Sequence, residues 1–204
     1  WIAEAVSAAK AKGMAVEFTA VDATRADDGY LQAAIDAAIG AGADTVAVCD
    51  STGARLPDDF AAFIDSVNAT VPMGVACDNK NGLACASAIL AVQKGADSVK
   101  TAIGGDCVDL ATFAAMCKNC GDSYGFACGV KYTEMGRIIQ QIGWITDPAR
   151  NEKISGSGLG LAIVSRAVRN MGGGIIARNR RDGENYMTLD ALIFHFRFPP
   201  HHIR

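Results

Sequence analysis

The strongest constraint on this chain is an internal repeat. Ala38-Ile-Gly-Ala-Gly42-Ala43-Asp44-Thr-Val-Ala-Val48 is matched by Ala91-Val-Gln-Lys-Gly95-Ala96-Asp97-Ser-Val-Lys-Thr101. Each copy reads as a helix end, a glycine that supplies the left-handed cap, and a buried strand. Short apolar strands alternating with helices imply a parallel sheet covered by its crossover helices. Hydrophobic spacing predicts strands over 15–20, 44–49, 73–77 and 97–103. Between and after them it predicts helices over 30–41, 57–67, 83–93, 110–120 and 132–142. Repeated βα units of this length fit part of a TIM-type barrel.

The composition agrees with an α/β protein. Of 204 residues, 50% are hydrophobic, only 7% are aromatic and 22 are glycine, which favours close helix–sheet packing. The net charge of −3 supplies no broad cationic face, so nucleic acid is excluded as a general partner. No run approaches the ~20 apolar residues of a membrane span. The start, Trp1-Ile2-Ala3-Glu4, has neither an initiator Met nor the order of a signal peptide, so the chain is expected to be a processed product or a piece of a longer protein.

The seven cysteines, Cys49, Cys77, Cys85, Cys107, Cys117, Cys120 and Cys128, lie in alanine-rich contexts. They read first as reduced, buried thiols of a cytoplasmic protein. Cys117-Lys-Asn-Cys120 with Cys128 also has the spacing of part of a zinc site or of a redox pair, though no fourth ligand completes a zinc set.

Catalytic groups of TIM barrels gather at the C-terminal strand ends. Here those ends read Val21-Asp22-Ala-Thr-Arg25, Cys49-Asp50-Ser51-Thr-Gly53, Ala76-Cys77-Asp78-Asn79-Lys80-Asn-Gly82-Leu-Ala84 and Lys100-Thr-Ala-Ile-Gly-Gly-Asp106. In this order they resemble the later half of the isopropylmalate synthase, homocitrate synthase and hydroxymethylglutaryl-CoA lyase family. The resemblance covers about residues 1–145. It implies a TIM barrel that binds a divalent metal and makes or breaks carbon–carbon bonds beside a carboxylate. The family's His-x-His metal pair falls on Ala76 and Asp78, and Lys80 stands where an acid is expected. The expectation is therefore a catalytically inactive, metal-free barrel. Its small-acid pocket would be formed by Asp50, Ser51, Asp78, Asn79, Lys80 and Lys100, with the Lys80 ammonium replacing part of the lost cation's charge.

Thr146-Asp-Pro-Ala-Arg-Asn-Glu-Lys153 is polar and contains a proline, so 146–154 reads as a linker. Beyond it, Ser155-Gly156-Ser157-Gly158-Leu159-Gly160-Leu161 opens a helix over 162–171. Gly172-Gly-Gly174 and strands over 175–179 and 192–198 follow. Alternate glycines before a helix N-terminus suit a phosphate. This order resembles the second glycine box of the histidine-kinase, gyrase B and Hsp90-like ATPase family. The resemblance implies that 155–204 is the C-terminal part of such a domain, a small α/β sandwich piece. Ser155, Gly156, Ser157, Gly158, Leu159, Gly160 and Leu161 would then contact nucleotide, and ATP with Mg would be the cofactor of the complete protein. The family's magnesium-holding asparagine and adenine-reading aspartate have no counterpart in this chain.

Both resemblances cover only the later part of a longer domain, so missing segments of the same protein or a homo-oligomer would have to cover the exposed faces. The leading expectation is a regulatory or signalling chain that couples a degenerate acid-binding barrel to a kinase-type ATP module. The alternative is a metal-dependent acyltransferase or aldolase with altered ligands. The third reading is a non-catalytic interaction module.

Overall fold

In a computed structural model of the protein, the described residues are 1–146, 174–179 and 187–195. They divide between two compact units, the first made of Trp1–Lys100 with Asp106–Val108, the second of Thr101–Gly105 with the chain from Asp109.

The first unit begins with helix α1 (Ile2–Lys10), which the periodicity reading passed over. Strand β1 (Glu17–Ala20), helix α2 (Asp28–Gly40), β2 (Thr45–Asp50), α3 (Pro57–Ser66), β3 (Met73–Cys77), α4 (Ala84–Gln93) and β4 (Ser98–Thr101) then alternate. The strands stand in the order β1-β2-β3-β4, and every neighbouring pair is parallel. This is the expected partial barrel sheet, built from βα units.

The two copies of the repeat fold alike. Gly42 and Gly95 take φ of 101° and 104°. Ala43 N–H donates to the Ala38 carbonyl and Ala96 N–H to the Ala91 carbonyl, each at 3.0 Å. Asp44 then accepts from Val16 N–H at 2.7 Å, and Asp97 accepts from Met73 N–H at 2.8 Å. Each aspartate thus clamps the start of its own strand to the start of the preceding one. Lys10 Nζ adds an ion pair of 2.9 Å to Asp44.

Strand parity separates two faces. Phe18 packs with the α1–α2 cluster of Val6, Ala38 and Ala43. Its register partner Val46 therefore shares the helix-covered face, with Val48, Val75 and Val99 following from the pairing. These four valines are at most 1% exposed. Each such side chain contributes about 1.5–3 kcal/mol on burial. Phe60, Ile64 and Ile35 lie among the largest fully buried side chains of the helices. The opposite face carries Glu17 and Thr19, Ala47 and Cys49, Gly74, Ser98 and Lys100.

The second unit holds α5 (Leu110–Tyr124) and α6 (Tyr132–Thr146). Asp109 caps α5 by accepting from Thr112 N–H at 2.8 Å. Leu110, Phe113, Ala114, Cys117 and Gly121 form its buried stripe. Gly125 ends it in the left-handed region at φ 76°. Strands β5 (Gly174–Asn179) and β6 (Met187–His195) pair antiparallel, with an irregularity between Ile176 and Arg178. β6 begins five residues before the predicted strand over 192–198 (187 against 192). No helix among the described residues is long and apolar enough to cross a membrane.

Candidate functional site

The C-terminal ends of β1, β2 and β3 converge through their loops. Asp78 N–H donates to the Asp50 carbonyl at 2.9 Å, which prolongs the β2–β3 pairing by one step. Gly53 takes φ +61° and lies so close that a Cβ there would stand 3.0 Å from the Asp78 carbonyl oxygen. The Asn81 amide donates to the Gly53 carbonyl at 2.9 Å. The β2 and β3 loops are thereby fastened edge to edge.

Asp50 is 3% exposed and serves as the hub of this edge. Its Oδ1 accepts from the Thr24 hydroxyl at 3.0 Å and from Gly53 N–H at 3.2 Å, with Thr52 N–H and hydroxyl at 3.4 and 3.3 Å. A buried carboxylate held by several donors is a positioning group, since freeing it would leave those donors unpaired. Ser51 Oγ accepts from Asp22 N–H at 2.9 Å and ties the β1 end to the β2 end. Asp22 is the non-glycine residue at positive φ (60°) among the described residues. Its carboxylate pairs with Arg25, which holds its carboxyl below the ordinary carboxylate range. Backbone held in this sparsely populated region is a frequent mark of functional loops.

Asn79 Oδ1 accepts from Ala84 N–H at 3.2 Å and so caps α4, leaving its amide nitrogen as a donor. Asp78 Oδ1 accepts from Lys80 N–H at 2.9 Å, and its Oδ2 lies 3.2 Å from Lys80 Nζ. Lys100 stands apart from this edge cluster. It lies on the sheet face opposite the helices, where Nζ pairs with Glu17 and lies 3.2 Å from Thr19 Oγ1. β1 and β4 are the outer strands of the four, and Ala47, Cys49 and Gly74 between them are small enough for the pair to meet across the face. Burial pushes the Cys49 thiol up, and the Lys100 ammonium opposes that shift.

The structure therefore brings Asp50, Ser51, Asp78, Asn79 and Lys80 together at one edge and places Lys100 below, on the sheet. Sequence reading missed Glu17, Thr19 and Thr24. The available signal was a charge inside an otherwise apolar strand at the same parity as Thr19. Ser155, Gly156, Ser157, Gly158, Leu159, Gly160 and Leu161, expected to contact nucleotide, lie outside the described residues. So does the predicted linker over 146–154 except its first residue, since Thr146 is the last residue of α6, which runs four residues past its predicted end at 142.

The divalent metal implied by the family resemblance does not fit the residues present. Ala76 has no donor, both Asp78 oxygens are engaged by Lys80, and no metal-holding group of three or more His, Cys, Asp or Glu occurs among the described residues.

The 2-isopropylmalate synthase of Syntrophus aciditrophicus is 33% identical over 154 residues, 68% of this chain and 30% of that protein. A probable 2-isopropylmalate synthase of Methanopyrus kandleri is 40% identical over 106 residues, 50% of this chain and 21% of that protein. The chain thus spans less than a third of these relatives. The HMG-CoA lyase of Bacillus subtilis superposes with a TM-score of 0.60 at 14% identity, covering 74% of this chain and 57% of that one. The carboxyl transferase domain of Rhizobium etli pyruvate carboxylase gives 0.57 at 18% identity, over 68% of this chain and 25% of that one. These structures share the fold.

The names of the sequence relatives overturn the expectation of a regulatory chain that couples a degenerate barrel to a kinase-type ATPase. Those names fit the alternative stated above, an acyltransferase or aldolase, better than that expectation. A glycine-rich loop of seven residues, 155–161, constrains a fold far less than motifs spread over several strands. The HMGL-like family matches residues 1–140, and the chain belongs to that family.

Proposed function

We propose that this chain carries later βα units of a metabolic enzyme that makes or breaks a carbon–carbon bond beside the carboxylate of a small acid, as an acyltransferase or aldolase of the 2-isopropylmalate synthase type. The observation that carries this reading is the 33% identity over 154 residues to a 2-isopropylmalate synthase, together with the family match over residues 1–140, which include the strand ends where the polar groups converge. The Ser51 hydroxyl, the Asn79 amide nitrogen and the Lys80 ammonium are the donors there suited to a carboxylate. Asp50 keeps the loops that carry them in place, and Asp78 holds Lys80 at the edge. Lys100 with Glu17 sets the charge of the sheet face beneath. No step is assigned to a metal, because the donors it would need are not among the described residues.

The test is twofold. Titration calorimetry with small 2-oxo and dicarboxylic acids is expected to give saturable heat that Asn79→Ala and Ser51→Ala both weaken. In parallel, release of free thiol from acetyl-CoA is followed with the same acids, with and without added Mg or Mn. Acid-dependent thiol release supports the acyltransferase. No heat and no turnover with any acid would sink the reading.

A further inference from the structure

The thiols of α5 and the loop after it remain outside the site above. Their spacing left zinc and redox chemistry open, and no metal-holding group occurs among the described residues. The structure instead sets one sulfur among donors. The Tyr132 hydroxyl, at the start of α6, lies 3.0 Å from Cys128 Sγ. The Cys117 thiol of α5 and the backbone at Val130 also hydrogen-bond to Cys128. These contacts draw the Cys128 thiol down to about 6, with the Cys117 hydrogen bond the largest cause and burial opposing it. Lys118 Nζ lies 5.5 Å from the centroid of the Tyr132 ring. The titratable groups set against this thiol are Cys117 from α5 and Tyr132 from α6, and Lys118 from α5 lies against the Tyr132 ring.

A glycine builds the arrangement. Gly121 follows Cys117 by one helical turn on the buried stripe of α5. A Cβ at Gly121 would stand 2.3 Å from the Phe126 carbonyl oxygen. The chain after α5 thus folds back directly over Gly121, and two residues on it reaches Cys128, to which the Cys117 thiol hydrogen-bonds. Cys117 is buried, whereas Cys128 is half-buried.

We propose that Cys128 is a peroxide-reactive thiol and that Cys117 resolves it, closing the α5–α6 loop with an intrachain disulfide. The Cys128 thiolate attacks one oxygen of a hydroperoxide. An S–O bond forms, the O–O bond breaks, and the other oxygen leaves as alcohol or water. Cys128 becomes a sulfenic acid as the peroxide is reduced. The Cys117 sulfur then attacks the Cys128 sulfur. The S–S bond forms, the S–O bond breaks, and hydroxide leaves with the Cys117 proton as water. In sum, two thiols and a hydroperoxide give a disulfide, an alcohol and water. Tyr132 acts as a positioning residue, its hydroxyl holding the thiolate. This proposal stands apart from the acid-binding edge and its reading.

The test treats the full chain with equimolar hydrogen peroxide at neutral pH and maps its peptides without reduction. The expected product is a Cys117–Cys128 linked pair, about 2 Da lighter than the two thiol peptides and restored by dithiothreitol. Cys117→Ser is expected to leave Cys128 as a sulfenic acid that dimedone traps. The pH profile of Cys128 alkylation by iodoacetamide is the second readout. Its rate is expected to be half-maximal near about 6 in the parent chain and to move toward the ordinary thiol value of about 8.5 in Tyr132→Phe. The profile is more telling than the absolute rate, because nucleophilicity falls as the thiol becomes more acidic. A Cys117–Cys120 bridge, no bridge at all, or a parent profile centred near about 8.5 would each overturn the proposal.

Discussion

Asp44 shows how much one exposed side chain fixes in this fold. It accepts from Val16 N–H and pairs with Lys10, and these contacts hold its carboxyl below the ordinary value of 3.8. A carboxylate whose folded pKa is depressed stabilises the fold above its unfolded value, and that stabilisation is lost as pH falls through the folded value. Asp44→Asn is therefore expected to lower Tm at neutral pH, with the difference shrinking below about pH 4. Melting curves of both proteins from about pH 7 to about pH 2 check this. A difference that stays constant over the range would show that the ion pair and clamp contribute nothing through ionisation. The clamp itself was only partly legible. The repeat of Gly-Ala-Asp announced a cap and a strand, but that the aspartate reaches back to the preceding strand follows from the sheet register. The partner of Lys100 was hidden for the same reason, since Glu17 is distant in sequence and meets it across the face of the sheet.

Among the elements, β1 to β4 and their helices were legible because apolar runs and glycine stops coincide. Helix α1 was passed over because it consists largely of small residues and buries only Val6. α5 runs four residues past its predicted end at 120, because Gly125 in the left-handed region terminates it. Gly121 within that helix lends itself to a direct test. Alanine there favours the helix by about 1 kcal/mol, yet its Cβ would overlap the Phe126 carbonyl, and forcing atoms into a packed site costs about 1–3 kcal/mol. Backbone is the obstacle, so the clash wins. Gly121→Ala is expected to lower Tm and to loosen the loop that follows, read by faster hydrogen exchange at Phe126. A variant more stable than the parent, with that exchange unchanged, would contradict this packing.

For the whole molecule, the fold class was readable because several strand-end motifs occur in order, and their joint appearance constrains topology far more than one loop does. The chain's role was not legible from the single glycine-rich segment 155–161, because a short loop is compatible with many folds. At the edge itself, the residues present bear directly on metal binding. Ala76 and the Asp78–Lys80 pair replace donors by a methyl group and an internal ion pair. Mg or Mn added to this chain is accordingly expected to leave its Tm within about 1 °C. A site at 100 times its Kd would add about 2.7 kcal/mol, several degrees for a domain of this size. Differential scanning fluorimetry decides between the two, and a shift of several degrees would show a metal site that the described donors do not account for.

The paired clamps at Asp44 and Asp97 carry a last consequence. Both lie where strands begin, whereas Ser51, Asp78, Asn79 and Lys80 lie where strands end. Alignment of the sheet and the chemistry of its rim are thus assigned to opposite ends of the same strands. Exchanging side chains at the rim leaves the clamps at the strand starts in place, so a scaffold of this kind can trade one binding preference for another while those clamps keep its strands in register.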